Sequence, residues 1–272
     1  MIKINGLVKN FGEKNVLNDI SFEINEGDIF ALVGPNGAGK TTTLRCIFGD
    51  LQPDRGSIKI FGSDLDSSIK RRIGVITEDR LVFKRFKGTD YVKLWKMLYP
   101  GWNEEIFSSF LNHYKFPLSE RVENYSMGMK TLLHMALSLS TDADFLILDE
   151  PTQNLDPVIR QEIMDVLKKF CLKERKTIII SSHEIYELEE IASAFAIIYE
   201  GKIIYTDTMD EAKEKHRVVE RGGNIPENSM IIGSAGDKIL VRTDEEIGNY
   251  ATFKNIVLGY LKNQKKFDPF SV

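Results

Sequence analysis

Asp28–Gly49 reads DIFALV, then GPNGAGKTT, then TLRCIFG. The apolar run Ile29–Val33 predicts a buried strand, and Gly34, Gly37 and Gly39 free the backbone to wrap tightly at its end. Lys40, Thr41 and Thr42 then open a helix. Strand, loop and helix in that order, with the pattern G-x-x-x-x-G-K-[ST], are what a phosphate-binding loop requires. Backbone N–H groups from Asn36 through Ala38 to Thr42 are expected to face phosphate oxygens, where the helix N-terminus adds partial positive charge. Lys40 offers a point charge to the outer phosphates, and the Thr41 hydroxyl offers a ligand for Mg²⁺. A glycine turn ahead of an ordinary core helix is the plainer alternative.

Composition narrows the classes. The chain has 272 residues, enough for one large domain with a small appendage. Its 36 Lys and Arg against 40 Asp and Glu leave a net charge of −4, which gives no electrostatic footprint for nucleic acid. No apolar run reaches the length of a membrane span, and MIKINGLVKNFG lacks the apolar core of a signal peptide. Cys46 and Cys171 have no metal spacing and are expected to be reduced and buried, as in a cytoplasmic protein. A membrane role must therefore come through a partner.

Upstream of the loop, residues 2–8 and 20–25 alternate as strands of an antiparallel layer, joined through FGEKN. Phe11 sits in that connection with Val16 shortly after. It either belongs to the core or offers an aromatic face to a purine ring. Downstream come the turn Pro53–Gly56, strand SIKIF and strand IGVIT, which ends at Thr77 with Glu78 and Asp79 directly after it. Acids at the carboxyl end of such a strand are either exposed loop residues or within reach of a metal.

From about Arg80 to Asp142 the texture turns helical, with Thr89, Asn103 and Ser126 as N-cap candidates and Pro100 and Pro117 as breakers. This interval reads as a helical insertion. Its aromatic residues are in part core, while Phe83 and Phe86, nearest the loop, could line a groove for another protein's helix. Phe145–Leu148 then runs into Asp149, Glu150 and Pro151. An apolar strand with a carboxylate at its tip holds Mg²⁺ opposite a phosphate-loop threonine, and the adjacent Glu150 is placed to polarise an attacking water. After a helix over 157–173 and a strand over 177–180, His183 stands at a third strand end, either as a structural hydrogen-bonder or facing a γ-phosphate. Strands FAIIY and KIIYT complete the sheet. Beyond Thr208 a short helix, the loop RGGNIPENS, the strand KILVR and a last helix TFKNIVLGYLKN read as a small α+β appendage.

Over residues 1–208 the chain resembles the nucleotide-binding subunit of ABC (ATP-binding cassette) transporters, with the motifs in the family's order. The resemblance matches Phe11 to the adenine-stacking position and Gly34–Thr42 to the phosphate loop. Glu78 falls at the Q-loop, Tyr125-Ser126-Met127-Gly128-Met129 at the signature, and Asp149 and Glu150 at the metal-binding and catalytic positions. Asn154-Leu155-Asp156 corresponds to the D-loop and His183 to the switch histidine. Two departures stand out: Glu78 replaces the usual glutamine, and Met127 and Met129 replace the commonest glycine and glutamine. The form S-x-G-M-K is similar to bacterial exporter ATPases of the antibiotic-resistance and peptide-export type. WNEEIF and NYSMGMK are similar to exporters of amphipathic peptides such as phenol-soluble modulins.

The resemblance implies a P-loop NTPase of the α/β class: a RecA-like core sheet, an N-terminal antiparallel β layer, a helical subdomain at about 80–142 and the appendage at 209–272. It implies ATP and Mg²⁺ as cofactors, with Phe11, Val16, Gly34, Asn36, Gly37, Ala38, Gly39, Lys40, Thr41, Thr42, Ser126, Gly128 and Met129 at the nucleotide. Thr41, Asp149 and Glu78 would serve the metal, and Glu150 and His183 catalysis. It implies pairing with an identical or paralogous cassette, and integral membrane permease subunits that keep a cytoplasmic protein at the inner face of the membrane. The alternatives are a soluble ABC ATPase of translation or DNA repair, against which stand a single phosphate loop and no sustained heptads, and an ATP-dependent switch with weak hydrolysis.

Overall fold

The computed structural model describes residues 1–80, 83, 85–235 and 237–264. Leu81, Val82 and Lys84, within the segment expected to meet another protein, and 265–272, at the end of the appendage, lie outside the described residues. The chain opens with β1 (Ile2–Phe11) and β2 (Lys14–Ile24), enters β3 (Ile29–Val33), and passes through the glycine loop into α1 (Lys40–Ile47). Strand β4 (Arg55–Ile60), the single turn α2 (Ser67–Lys70) and β5 (Ile73–Ile76) follow. Then come α3 (Gly88–Leu98), α4 (Glu104–Tyr114) and α5 (Met127–Leu139). Strand β6 (Phe145–Asp149), α6 (Pro157–Glu174), β7 (Thr177–Ser182), α7 (Ile185–Ile191), β8 (Ala194–Tyr199) and β9 (Lys202–Thr208) finish the main sheet.

That sheet has the order β5-β6-β7-β3-β8-β9, parallel except for β9, which returns antiparallel to β8. Every residue of β3, β6 and β7 is buried, which is why these strands read as continuous apolar runs without alternation. Alternate side chains still serve different layers. Phe30, Leu32, Phe145 and Ile147 pack under β1, β2 and α1, whereas Ala31, Val33, Leu146 and Leu148 pack under α5 and α6. Register aligns the strand tips: Asp149 lies beside Ser181, and Val33 beside Ser182. The ends of β3, β6 and β7 therefore open on one edge, where an open α/β sheet gathers its ligand.

The antiparallel layer has the order β2-β1-β4. Its hairpin is tighter than FGEKN suggests: Phe11 pairs with Lys14, so the connection is Gly12–Glu13, with Gly12 at φ 59 where an L side chain is strained. The strands consequently run past the expected ends at Val8 and Ile20. In the helical interval, Asn103 caps α4 by accepting from the N–H groups of Glu105 (3.0 Å) and Ile106 (3.1 Å), and Ser126 caps α5 by accepting from Met129 (3.2 Å). Thr89 is not a cap. Helix α3 begins at Gly88, and the Asp90 carboxylate reaches back 2.9 Å to accept from the Lys87 N–H.

Beyond Thr208 the chain forms α8 (Met209–Lys215), β10 (His216–Val219), β11 (Met230–Ala235), β12 (Lys238–Arg242), β13 (Asn249–Tyr250) and α9 (Phe253–Gln264). The strands make a sheet of order β11-β12-β10-β13. Helix α9 docks on the main sheet: the Phe253 ring meets Phe195 of β8 edge-on at 4.8 Å, and Tyr260 stacks on Tyr205 of β9 at 4.5 Å. Cys46 and Cys171 are buried free thiols whose pKa values burial pushes up to about 11, as befits inert packing residues.

Candidate functional site

The glycine loop is built by close approach. A Cβ on Gly34 would lie 2.2 Å from the Ile198 carbonyl oxygen of β8, and one on Gly39 would lie 2.8 Å from Leu17. Gly37 and Gly39 also take φ values of 79 and 110, so glycine is required at both for conformation as well. No side chain caps α1, leaving its first-turn N–H groups to face the loop's interior. Buried Lys40 curls back and donates from Nζ to the carbonyls of Gly34 (2.8 Å) and Pro35 (3.3 Å). Burial lowers its pKa, opposed by Glu150, Asp149 and Glu78.

A cavity of about 510 Å³ covers this loop, lined by Phe11, Lys14, Val16, Asn36, Gly37, Gly39, Lys40, Thr41, Thr42, Glu78 and Glu150. Phe11 is 48% exposed at its rim, so of the two readings of this residue the core reading does not hold. The expected residues Gly34 and Ala38 form the wall behind the loop: Gly34 through its carbonyl to Lys40, Ala38 buried with its N–H donated to Pro35 at 3.1 Å. A second cavity shares Thr41 and Glu78 with the first and adds Asp149 and Gln153. There the Thr41 hydroxyl donates to Glu78 Oε2 at 3.5 Å.

The strand tips carry the acids. Asp149 is buried and accepts from the Ser181 hydroxyl of the neighbouring strand. Glu150 is buried at φ 48, with its N–H held by the Ser181 carbonyl at 3.1 Å. His183 Nδ1 lies 2.8 Å from Glu150 Oε2. Burial raises the Glu150 pKa, opposed by the nearby His183 and Lys40. A carboxyl so placed is a stronger base than an exposed glutamate.

Ser126, Gly128 and Met129 line a different cavity, together with Met127, Asn154, Leu155 and Asp156. A Cβ on Gly128 would lie 3.1 Å from the Asn154 carbonyl oxygen. The structure thus brings the loop, Glu78, Asp149, Glu150 and His183 to one edge, and leaves the signature elsewhere on the same chain. Sequence reasoning gave no role to Lys14, Ser181 or Arg80. The strand-end serines Ser181-Ser182 beside His183 were the available signal for the second. For Arg80 there was none, because apart from the Thr77 carbonyl its partners are 51 to 70 residues away in the chain.

Comparison with known proteins agrees with this geometry. The family model for ABC transporters matches residues 17–153. The chain is 36% identical over 212 residues to the lantibiotic transport ATP-binding protein SrtF of Streptococcus pyogenes, covering 77% of this chain and 92% of that protein. It is 34% identical over 218 residues to the Nod factor export ATP-binding protein I of Paraburkholderia xenovorans, covering 75% and 69%. Among solved structures, an ATP-binding subunit of an ABC transporter superposes with a TM-score of 0.71 at 26% identity, covering 78% of this chain and 92% of the other. A P-loop ATPase cassette is thus identified by motif order, fold and relatives together: the chain belongs to the ABC transporter family and is an ATPase of that family.

Proposed function

We propose that the chain is the ATP-hydrolysing subunit of an exporter and drives a small antimicrobial or amphipathic peptide through a separately encoded membrane permease. One relative is named for lantibiotic transport and another for Nod factor export, which supports an export role. ABC cassettes dimerise and work with membrane permeases. One observation carries the dimeric reading: the phosphate-loop cavity and the signature cavity have no lining residue in common. Each copy therefore offers one half of two sites. In the closed pair the N-terminus of α5, with Ser126, Gly128 and Met129, covers the γ-phosphate of ATP held by the partner's loop. Phe11 and Val16 face the adenine. The reading divides the chain into a cassette at 1–208, with its helical subdomain at about 80–142, and an appendage at 209–272.

Thr41, Asp149 and Glu78 present only oxygen donors, which suits Mg²⁺. Among the described residues no group of three or more His, Cys, Asp and Glu is placed to hold a metal alone, so the remaining ligands come from phosphate and water. When bound, Mg²⁺ neutralises charge on the phosphate oxygens. Lys40 adds its charge to the outer phosphates. Glu150 takes the proton of the water that attacks the γ-phosphorus as the bond to the β-phosphate oxygen breaks. His183 holds Glu150 in place and contacts the γ-phosphate. Phe83, 55% exposed and packed 5.0 Å from Phe86, contributes to the groove that receives the permease. No helix among the described residues is long and apolar enough to cross a membrane; the permease keeps the subunit on the inner membrane face.

Affinity purification of the tagged chain from detergent-solubilised membranes tests this. An integral membrane protein should copurify and raise ATP turnover. Failure to recover any membrane protein, turnover that the recovered membrane protein leaves unchanged, or recovery with ribosomes or DNA repair proteins would overturn the exporter reading.

A further inference from the structure

Arg80 follows β5 by four residues, is 3% exposed and sits at φ 46. Its guanidinium spans three parts of the molecule. Nη1 donates to the carbonyl of Thr77 and, at 3.2 Å, to that of Asp149; Nη2 donates to the carbonyl of Glu150 at 2.6 Å. Nε donates to Oγ1 of Thr131 at 3.2 Å, on the helix that Ser126 opens. Among the described residues every acceptor is a carbonyl or hydroxyl oxygen. Burial lowers the Arg80 pKa, opposed by the charges of Asp149, Glu78, Asp79 and Glu150. A buried cation without a direct carboxylate partner is costly, so its place is explained by what it holds.

What it holds is the peptide on either side of the Glu150 side chain. Glu150 lies in the left-handed region, unfavourable for a residue with a Cβ. Its N–H is fixed by Ser181 and its carbonyl by Arg80. These two anchors set the direction of the Cα–Cβ bond, and so the place of the carboxylate beside His183.

We infer that Arg80 is a positioning residue for hydrolysis, tying the Asp149–Glu150 backbone to α5 so that movement of the signature helix redirects the Glu150 carboxylate. The inference rests on Glu150 as the base. It adds a route by which one chain's signature helix acts on the same chain's own catalytic centre, besides covering the partner's nucleotide.

The test is steady-state ATP hydrolysis, nucleotide affinity and melting temperature on the full chain. Arg80→Met should lower kcat by about ten- to a hundredfold while the Kd for ATP stays within about twofold. Arg80→Lys should not rescue it, because an ammonium cannot reproduce the fork. Removal of Arg80 strands several carbonyls and can unfold the chain, so the Thr131 pair decides. Thr131→Val, which removes the tie to α5 together with the 3.5 Å hydrogen bond from the same hydroxyl to the Gln153 carbonyl, should lower kcat about three- to tenfold at unchanged Kd, and Thr131→Ser should restore it. Wild-type turnover in Thr131→Val, or a loss that merely follows ATP affinity or melting temperature, overturns the inference. Glu150→Gln is measured alongside. A slow Glu150→Gln with a normal Thr131→Val defeats the inference alone, whereas a normal Glu150→Gln defeats the reading beneath it.

Discussion

His183 Nδ1 lies 2.8 Å from Glu150 Oε2, with the glutamate side chain 7% exposed and the histidine 50% exposed. The acid is thus buried beneath a histidine that keeps one ring face in solvent. The other ring nitrogen, Nε2, lies 3.7 Å from Glu184 Oε1. His183→Ala frees the carboxylate and uncovers it to water. Turnover is expected to fall about ten- to a hundredfold, while the loop residues that grip ATP are untouched and Kd changes little. Rapid-quench hydrolysis beside equilibrium nucleotide binding checks both halves; a large loss of affinity with normal turnover would contradict the assignment.

Phe11 ends β1 with its ring at the cavity rim, and Lys9 Nζ lies 5.7 Å from the ring centroid. If the ring stacks on adenine, Phe11→Ala should weaken ATP about three- to tenfold, and Phe11→Trp should hold it, since an offset aromatic stack is worth about 0.5–1.5 kcal/mol. Titration with a fluorescent ATP analogue measures this. Equal affinity in Phe11→Ala removes the residue from the site.

His134 of α5 has a buried Nε2 with no hydrogen-bond partner among the described residues and packs against Tyr91 at 6.2 Å. Burial, assisted by the Arg80 charge and opposed by Asp79, pushes its pKa down to about 4. Above pH ~6.5 the imidazole is neutral in both folded and unfolded chains and costs nothing. As the pH falls from there toward 4, the unfolded chain takes up a proton that the native one refuses, and about 3 kcal/mol of stability is lost. Carboxylates titrate in the same window, so the informative quantity is the difference from His134→Phe. Urea unfolding at pH 7.5 and pH 4.5 should show the variant losing less stability than the wild type; parallel losses would contradict the shift.

Much of the site was legible because its chemistry is written locally. The glycines at Gly34, Gly37 and Gly39, and the apolar run that ends in Asp149 and Glu150, each announce a strand end with a polar group on it, and parallel register then brings those ends together. Elsewhere the determinants are nonlocal. Arg80 looks like the first residue of a helical interval until Asp149, Glu150 and Thr131 are beside it. The hairpin at Phe11 was drawn too long because a two-residue turn beginning with Gly12 leaves little punctuation. In the tail, KILVR and α9 carry recognisable patterns. His216–Val219 does not, since the strand is short and buried throughout, and Met230–Ala235 is broken by Gly233, whose Cβ would meet the Gly259 carbonyl of α9 at 2.5 Å. That close contact needs a glycine, and a glycine inside a strand weakens the side-chain pattern from which the strand is read.

The central claim, that one copy's signature helix closes over ATP in another copy's phosphate loop, is tested most directly by light scattering after gel filtration of the Glu150→Gln chain. With ATP and Mg²⁺ the mass should rise from 31.0 kDa to about twice that value, as differential affinity for the closed state requires. Adding Gly128→Asp, which puts a carboxylate where the γ-phosphate should meet α5, should return it to a monomer. A chain that stays monomeric at saturating ATP, or a dimer indifferent to Gly128→Asp, would contradict the account.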